Sequence, residues 1–256
     1  MRVAIVTGAS SGIGFGCAKK LVDDGIAVLG TGRDAERLAG LAAETDPDRI
    51  ATVAVDLTEA DAPQQVINAA LDRWGRVDFL INNAGVGSPQ PLHETDDDTL
   101  DHFLDVMLRA PFRLARDVLP HLRPGSAIVN VTSTFAVVGG LRGGAYSAAK
   151  GGLTALSTHI ACQYGAQGIR CNAVAPGVTV TPMVEHRLDD PRFRKINTEM
   201  TPYPRLGRVE DIANTVAFLC SDAGAFINGQ TIVVDGGWSS TKYLSDFALD
   251  AEWVPR

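Results

Sequence analysis

"VTGASSGIG", residues 6–14, decides the fold of this chain. The β-branched apolar run "RVAIVT" (2–7) leads into it, and a helix-like stretch from Gly12 to Asp24 follows. Gly8, Gly12 and Gly14 meet three separate needs: a tight turn, a close backbone approach to a diphosphate, and close packing of the helix. Amide N–H groups at the start of that helix then face an anion. A glycine-rich turn on its own is weak evidence, but this one has a strand before it and a helix after it. That context makes it a dinucleotide-binding turn rather than a structural one.

The same alternation continues along the chain. Strand-like runs at 26–31, 50–56, 77–83, 126–132, 169–175 and 230–235 are separated by helix-like stretches near 34–44, 60–74, 97–122, 145–165 and 208–221. The runs are continuously apolar, which predicts strands buried on both faces of a mainly parallel sheet. Repeated β-α units with right-handed crossovers predict an α/β fold: a doubly wound, Rossmann-type three-layer sandwich around seven strands. No Pro/Ser linker or internal repeat divides the chain, so residues 1–256 are read as one dinucleotide-binding and catalytic domain. Residues 181–206 are polar, proline-punctuated and weakly periodic, and are expected to form an irregular substrate lid. The C-terminal extension, 238–256, carries Trp238, Tyr243, Leu244, Phe247, Leu249 and Trp253, too apolar a set for a solvated tail.

Composition excludes several functions. A net charge of −7 argues against nucleic acid as the main partner. No apolar run approaches the roughly 18 residues that would span a bilayer, and the opening "MRVAIVTGAS" passes directly into a strand with no secretory pattern. Cys17, Cys162, Cys171 and Cys220 form no Cys-x-x-Cys pair and have no neighbouring His cluster at zinc spacing, so no metal site is expected. All four are read as buried or semi-buried thiols in a reducing cytoplasm.

"AYSAAK" (145–150) places Tyr146 and Lys150 one helical turn apart among small residues. Both side chains therefore share a face with room for a partner. The spacing T-G-x-x-x-G-x-G at residues 7–14 resembles that of the short-chain dehydrogenase/reductase family. "NNAG" (82–85), Asp56 in "VDLT", Ser133 thirteen residues before Tyr146, "PG" (176–177), Thr181 and "DGG" (235–237) recur in that family's order, over residues 2 to 238. The resemblance implies a catalytic set of Ser133, Tyr146 and Lys150. It implies cofactor contacts from Gly8, Ser10, Ser11, Gly12, Ile13, Gly14, Arg33, Asp56, Leu57, Asn83, Ala84, Gly85, Tyr146, Lys150, Pro176, Gly177, Thr179 and Thr181. In the mechanism it implies, Tyr146 exchanges a proton with the substrate oxygen, its phenolate favoured by the Lys150 cation. Ser133 orients the carbonyl, and Lys150 also holds the nicotinamide ribose.

The cofactor choice turns on "GTGRD" (30–34). NAD-preferring relatives usually carry a carboxylate at the end of the second strand, where this chain has Gly32. Arg33 follows and can grip a 2′-phosphate in bidentate fashion, so NADP(H) is expected over NAD(H). Asp34 is read as the cap of the next helix. One position departs from the family pattern: Met107 stands where relatives have an Asn whose amide carbonyl holds a water linking the lysine to solvent. Either Met107 fills core space and another path substitutes, or proton exchange is slow. The expected function is therefore an NADPH-dependent oxidoreductase acting on a ketone or secondary alcohol. An NAD-linked dehydrogenase and a weakly catalytic cofactor-binding protein are the alternatives. Val86, Ser88, Phe135, Val137, Leu141, Arg142 and Val178 are candidate wall residues, mostly apolar. The resemblance also implies a homo-oligomer, a tetramer or dimer, built through the helices at 97–122 and 145–165.

Overall fold

In the computed structural model, which describes residues 1–87 and 90–241, the runs fold into seven parallel strands. In chain order the elements are β1 (Val3–Thr7), α1 (Gly12–Asp23), β2 (Ala27–Gly32), α2 (Ala35–Ala43), β3 (Ile50–Ala54), α3 (Ala62–Trp74) and β4 (Phe79–Asn82). They continue with α4 (Asp97–Leu104), α5 (Ala110–Val118), β5 (Ala127–Val131), α6 (Gly144–Tyr164), β6 (Arg170–Pro176), α7 (Pro182–Leu188), α8 (Pro191–Glu199), α9 (Val209–Cys220) and β7 (Thr231–Val234). The sheet order is β3-β2-β1-β4-β5-β6-β7, with every pairing parallel.

Side chains alternate along each strand, so the sheet feeds two cores. Phe79 and Ile81 pack with Cys17, Leu21, Leu38, Ile212 and Val216 of α1, α2 and α9 on one face. Leu80 and Ile128 pack with Val66, Leu114 and Ile160 of α3, α5 and α6 on the other. Full burial of each large apolar side chain contributes roughly 1.5–3 kcal/mol. The inner strands are buried throughout, as the unbroken apolar runs require. The outer strands β3 and β7 are half-buried, because each is covered by a neighbouring strand on one edge only. The order reverses between β1 and β4, and at such a reversal the loops leaving the two strands part to leave a crevice at the carboxyl ends of the strands.

Two expected elements take a different form. The stretch 97–122 is broken: α4 runs into a π-turn over Asp105–Arg109 before α5, and a 3₁₀ turn, Leu119–His121, follows. Pro111 is the cause, since it has no N–H to return to the carbonyl four residues back and its ring crowds that carbonyl. The chain widens instead, with the Ala110 N–H reaching the Asp105 carbonyl, five residues back. The segment 181–206, expected as an irregular lid, is not irregular either. It folds into α7 and α8, which start at the pairs Thr181–Pro182 and Asp190–Pro191, and Asp190 caps α8 by accepting the Arg192 N–H at 2.8 Å. Proline in a first helical turn gives up no bond and is preset for the helix.

The cysteines also need one correction. Cys17, Cys171 and Cys220 are buried, but Cys162 is exposed on the outer face of α6. Burial pushes the Cys171 and Cys220 thiols up to about 12, so neither is a nucleophile near neutral pH. Ser88 and the tail residues Tyr243, Leu244, Phe247, Leu249 and Trp253 lie outside the described residues.

Candidate active site

The turn after β1 is built for close approach. Gly8 and Gly12 sit at φ +67° and +55°, which favours glycine. A Cβ on Gly14 would lie 2.2 Å from the Gly8 carbonyl oxygen, and one on Gly8 would lie 2.9 Å from the Ala84 Cα. Ser11 begins α1 without a side-chain cap, so the first amide N–H groups of that helix stay open to an anion. A cradle that any side chain would fill, at the start of a helix over a strand reversal, fits a dinucleotide diphosphate.

The other candidate cofactor residues gather around this turn. Asn83 reaches the Thr7 and Gly8 carbonyls from its Nδ2, at 3.0 and 3.4 Å. Gly12 faces Thr181, whose Cβ would be 3.3 Å from an added methyl, and Thr179 donates its hydroxyl to the Gly177 carbonyl at 3.1 Å. Thr181 begins α7 with no side-chain cap of its own, leaving its hydroxyl free for a ligand. Pro176 ends β6 and delivers this segment. At the adenosine end, Gly32 lies beside Ser10: a Cβ there would be 3.1 Å from the Ser10 hydroxyl. Arg33 is exposed, and Asp34 caps α2 by accepting the Arg37 N–H at 3.0 Å, as expected. Asp56 follows β3 with buried Leu57 after it. The Thr58 N–H, and then its hydroxyl, hold the Asp56 carboxyl below its ordinary value, and Arg33 adds to this.

Ser133, Tyr146 and Lys150 meet at the carboxyl end of β5. The Ser133 oxygen accepts the Phe135 N–H at 3.1 Å, which fixes the turn that carries it. The Tyr146 ring is held between two aromatic edges, Phe103 and Phe135, each with its centroid 6.4 Å away and nearly perpendicular. Lys150 is 3% exposed and donates to the Val131 carbonyl at 2.8 Å. Its Nζ lies 5.9 Å from the Tyr146 ring centroid, and a Cβ on Gly85 would sit 3.7 Å from that nitrogen. The lysine therefore joins the tyrosine to the NNAG loop.

Charge in the site differs from the sequence expectation. Burial pushes the Tyr146 phenol up, and a hydrogen bond with Ser133 pulls it only partly back. Burial also drives the Lys150 ammonium down to about 8. Burial is the first cause of both shifts, because both groups are withdrawn from water before any ligand arrives. The phenol is thus protonated at neutral pH, the state a proton donor needs.

Met107 lies in the π-turn, fully buried against Phe103, Ala145 and Ala149. A Cβ on Gly85 would be 3.5 Å from its sulfur, so the thioether borders the same loop as Lys150. This is a core-filling environment. Met107→Asn is expected to destabilise the fold by about 1–3 kcal/mol, the cost of an unpaired buried amide, with kcat changing less than about threefold on the acid–base scale. Thermal melts and steady-state rates check this; a tenfold kcat gain would instead show a relay impaired by Met107.

Three supports were not read from the sequence. The Thr7 hydroxyl accepts the Asn83 and Ala84 N–H groups at 2.9 and 3.0 Å and ties the β4 loop to β1. Its place directly before Gly8 is the one sequence signal. The Val131 carbonyl, as the lysine's acceptor, is a backbone group with no sequence signature. Phe103 reads only as one apolar position of α4.

Comparison with known proteins agrees with this geometry. A family model described as Enoyl-(Acyl carrier protein) reductase matches residues 8–239. The A-factor type gamma-butyrolactone 1′-reductase (1S-forming) of Streptomyces virginiae is 36% identical over 245 residues, 93% of this chain and 95% of that protein. The crystal structure of a short-chain dehydrogenase/reductase, SDR:Glucose/ribitol dehydrogenase, from Brucella melitensis superposes with a TM-score of 0.89 at 33% identity, over 93% of this chain and 96% of that one. A blue fluorescent protein from a metagenomic library, in complex with NADPH, superposes at 0.87 and 31%, over 93% and 98%. Nicotinamide nucleotides, NADH and NADPH, occupy solved relatives. Among the described residues no group of three or more His, Cys, Asp or Glu could hold a metal ion, and no helix is long and apolar enough to cross a membrane. The glycine cradle, the buried lysine one turn from a protonated tyrosine, and similarity along nearly the whole chain lead to one conclusion: this oxidoreductase belongs to the short-chain dehydrogenase/reductase family.

Proposed function

We propose that this protein reduces a ketone to a secondary alcohol at the expense of NADPH, with Tyr146 as the proton donor. The observation that carries the reading is the Tyr146 ring 5.9 Å from the Nζ of the buried Lys150, one turn further along the same helix, and packed against Phe135 of the Ser133 turn. When bound, the nicotinamide supplies the hydride. The chain's own residues do the rest. Ser133 orients the carbonyl oxygen, Tyr146 gives that oxygen a proton, and Lys150 stabilises the phenolate left behind and holds the ribose. NADPH consumption against a panel of ketones tests the reading, with nucleotide binding measured separately. Tight binding without turnover on any ketone would favour a cofactor-binding protein, the reading Met107 supports.

The preference for NADP(H) rests on Gly32 and Arg33. Ser10 leaves little room for a carboxylate at position 32, and Arg33 is exposed and felt by Asp56. Arg33→Ala is expected to raise KM for NADPH about tenfold or more, the loss of a charge-assisted phosphate contact, with KM for NADH little changed. An unaltered NADPH/NADH ratio would remove Arg33 from this role.

The outer face of the helices supports association of subunits. Leu104, Leu108, Phe112 and Leu156 border an open groove, with Phe112 half exposed. A second copy of this chain would cover it, giving a dimer or tetramer. Phe112→Glu is expected to shift the protein toward a smaller species in sedimentation velocity; an unchanged distribution would place association elsewhere.

A further inference from the structure

We propose that Asn130 is a positioning residue: through Ser157 it fixes where α6 lies on β5, and so where Tyr146 and Lys150 stand relative to Ser133. This rests on the carbonyl-reductase reading and adds to it a residue that touches neither substrate nor nucleotide.

The core beneath the site changes character over one layer. On the sheet face that carries α3, α5 and α6, Leu80 and Ile128 are apolar. Two residues further along the same strands, on the same face, stand Asn82 and Asn130, paired across β4 and β5. They are 2% and 0% exposed, and Ser157 of α6 is 1% exposed. The Asn82 Nδ2 donates to the Asn130 Oδ1, the Asn130 Nδ2 to the Ser157 oxygen, and the Ser157 hydroxyl to the Leu153 carbonyl, each at 2.8 Å. Asn130 is the middle of a chain that runs from β4 through β5 to α6. Each of these elements leads into the site. Asn82 precedes the loop 83–85, Asn130 lies three residues before Ser133, and Ser157 shares its helix with Tyr146 and Lys150.

Burial of apolar atoms pulls a core together without direction, whereas a hydrogen bond holds its partners within about half an ångström and a narrow angle. Apolar groups of the same shape would hold this layer together about as firmly, so what the amides add is position. Ser157 lies seven residues after Lys150 and eleven after Tyr146, two and three helical turns, so all three side chains leave one face of α6. Among the described residues two side-chain hydrogen bonds join α6 to β5: Asn130 to Ser157, and Lys150 to the Val131 carbonyl at 2.8 Å. They come from adjacent residues of the strand and meet the helix two turns apart. Together they set both its height along the strand and its rotation. Without the Ser157 bond the one polar tie left is the long, flexible lysine, and α6 is free to slide or turn above it. A shift of about 1 Å in a catalytic group costs up to about a hundredfold in rate.

Asn130→Leu would strand Asn82 and Ser157 at once, so the test uses Ser157→Ala, the loss of one hydroxyl; the Asn130 Nδ2 then still has the Cys171 sulfur at 3.7 Å. Ile160→Val is the control, a trimmed apolar side chain three residues further along α6 in the same core. One readout needs no turnover. The change in denaturation midpoint caused by Lys150→Met is measured at pH 7 in wild type, Ser157→Ala and Ile160→Val. About 10 Å of helix separates positions 150 and 157, far enough for independent effects to add. Loosening α6 readmits water to the Lys150 ammonium, so that change is expected to shrink by half or more in Ser157→Ala and to stay as in wild type in Ile160→Val. In turnover, kcat for ketone reduction is expected to fall about tenfold in Ser157→Ala and less than twofold in Ile160→Val, at a temperature where every variant is folded. Additive midpoints, a Ser157→Ala kcat within twofold of wild type, or the same response from Ile160→Val overturns the positioning role. Coupled midpoints in a protein that reduces no ketone leave the tie between α6 and β5 standing and remove carbonyl reduction.

Discussion

Tyr146→Phe is expected to lower kcat/KM for ketone reduction by about three orders of magnitude, the middle of the range for a positioned acid. Nucleotide affinity should stay within about twofold of wild type, because the change removes one oxygen and leaves the ring. Phenylalanine keeps the perpendicular contacts with Phe103 and Phe135, so the pocket keeps its shape. What disappears is the hydroxyl and with it the proton that the alkoxide would take. Steady-state rates and a nucleotide titration on the same preparation test this. A variant within tenfold of wild-type turnover would take the proton-donor role away from Tyr146.

Lys150→Met should have two large effects of opposite sign. Activity should fall by about two to three orders of magnitude, the usual consequence of removing a fixed charge from a site where negative charge develops. Stability at pH 7 should rise. Burial lowers Lys150 from 10.5 to about 8 in the folded chain. The unfolded chain therefore holds this proton more tightly, and burying the ammonium costs stability in full below pH 8. The cost shrinks as pH rises from about 8 toward 10.5 and is gone above that. The interval corresponds to roughly 3 kcal/mol. Methionine also leaves the Val131 carbonyl without its donor, which offsets about 1–2 kcal/mol. A net gain of about 1–2 kcal/mol is therefore expected at pH 7, crossing zero between about pH 9 and 10 and reversing sign above that. Denaturant melts across that range check the sign; a variant less stable than wild type at pH 7 would contradict it. By the same proton, wild-type kcat/KM should fall above about pH 8, where the free enzyme loses the ammonium.

Much of the site was legible along the chain because its parts are local. Gly8, Gly12 and Gly14 mark a turn whose backbone angles and clearances are set within nine residues. Tyr146 and Lys150 sit one turn apart on a single helix. Asp34 caps the helix that it precedes. Each is a short-range rule that survives whatever packs around it. The segment 181–206 was less legible, because α7 and α8 are short helices with weak apolar periodicity, betrayed mainly by the prolines that open them. The break at Asp105–Arg109 could have been read from Pro111, but the form it took depends on how α4 and α5 both stay packed on the rest of the chain.

The sequence by itself determined the parallel α/β architecture, since periodicity needs no knowledge of distant residues; the glycine turn, the one-turn spacing of Tyr146 and Lys150 and the family resemblance pointed to a nucleotide cradle and to Ser133, Tyr146 and Lys150 as candidates. Only the tertiary structure decided how those groups are charged and what surrounds them. It gave Lys150 the Val131 carbonyl, seated Met107 in an apolar cluster and set Trp238 beside Phe135, more than a hundred residues earlier. The reason is desolvation: a pKa or a buried hydrogen bond is set by which atoms exclude water, and those atoms come from strands and loops that meet only after the chain has folded.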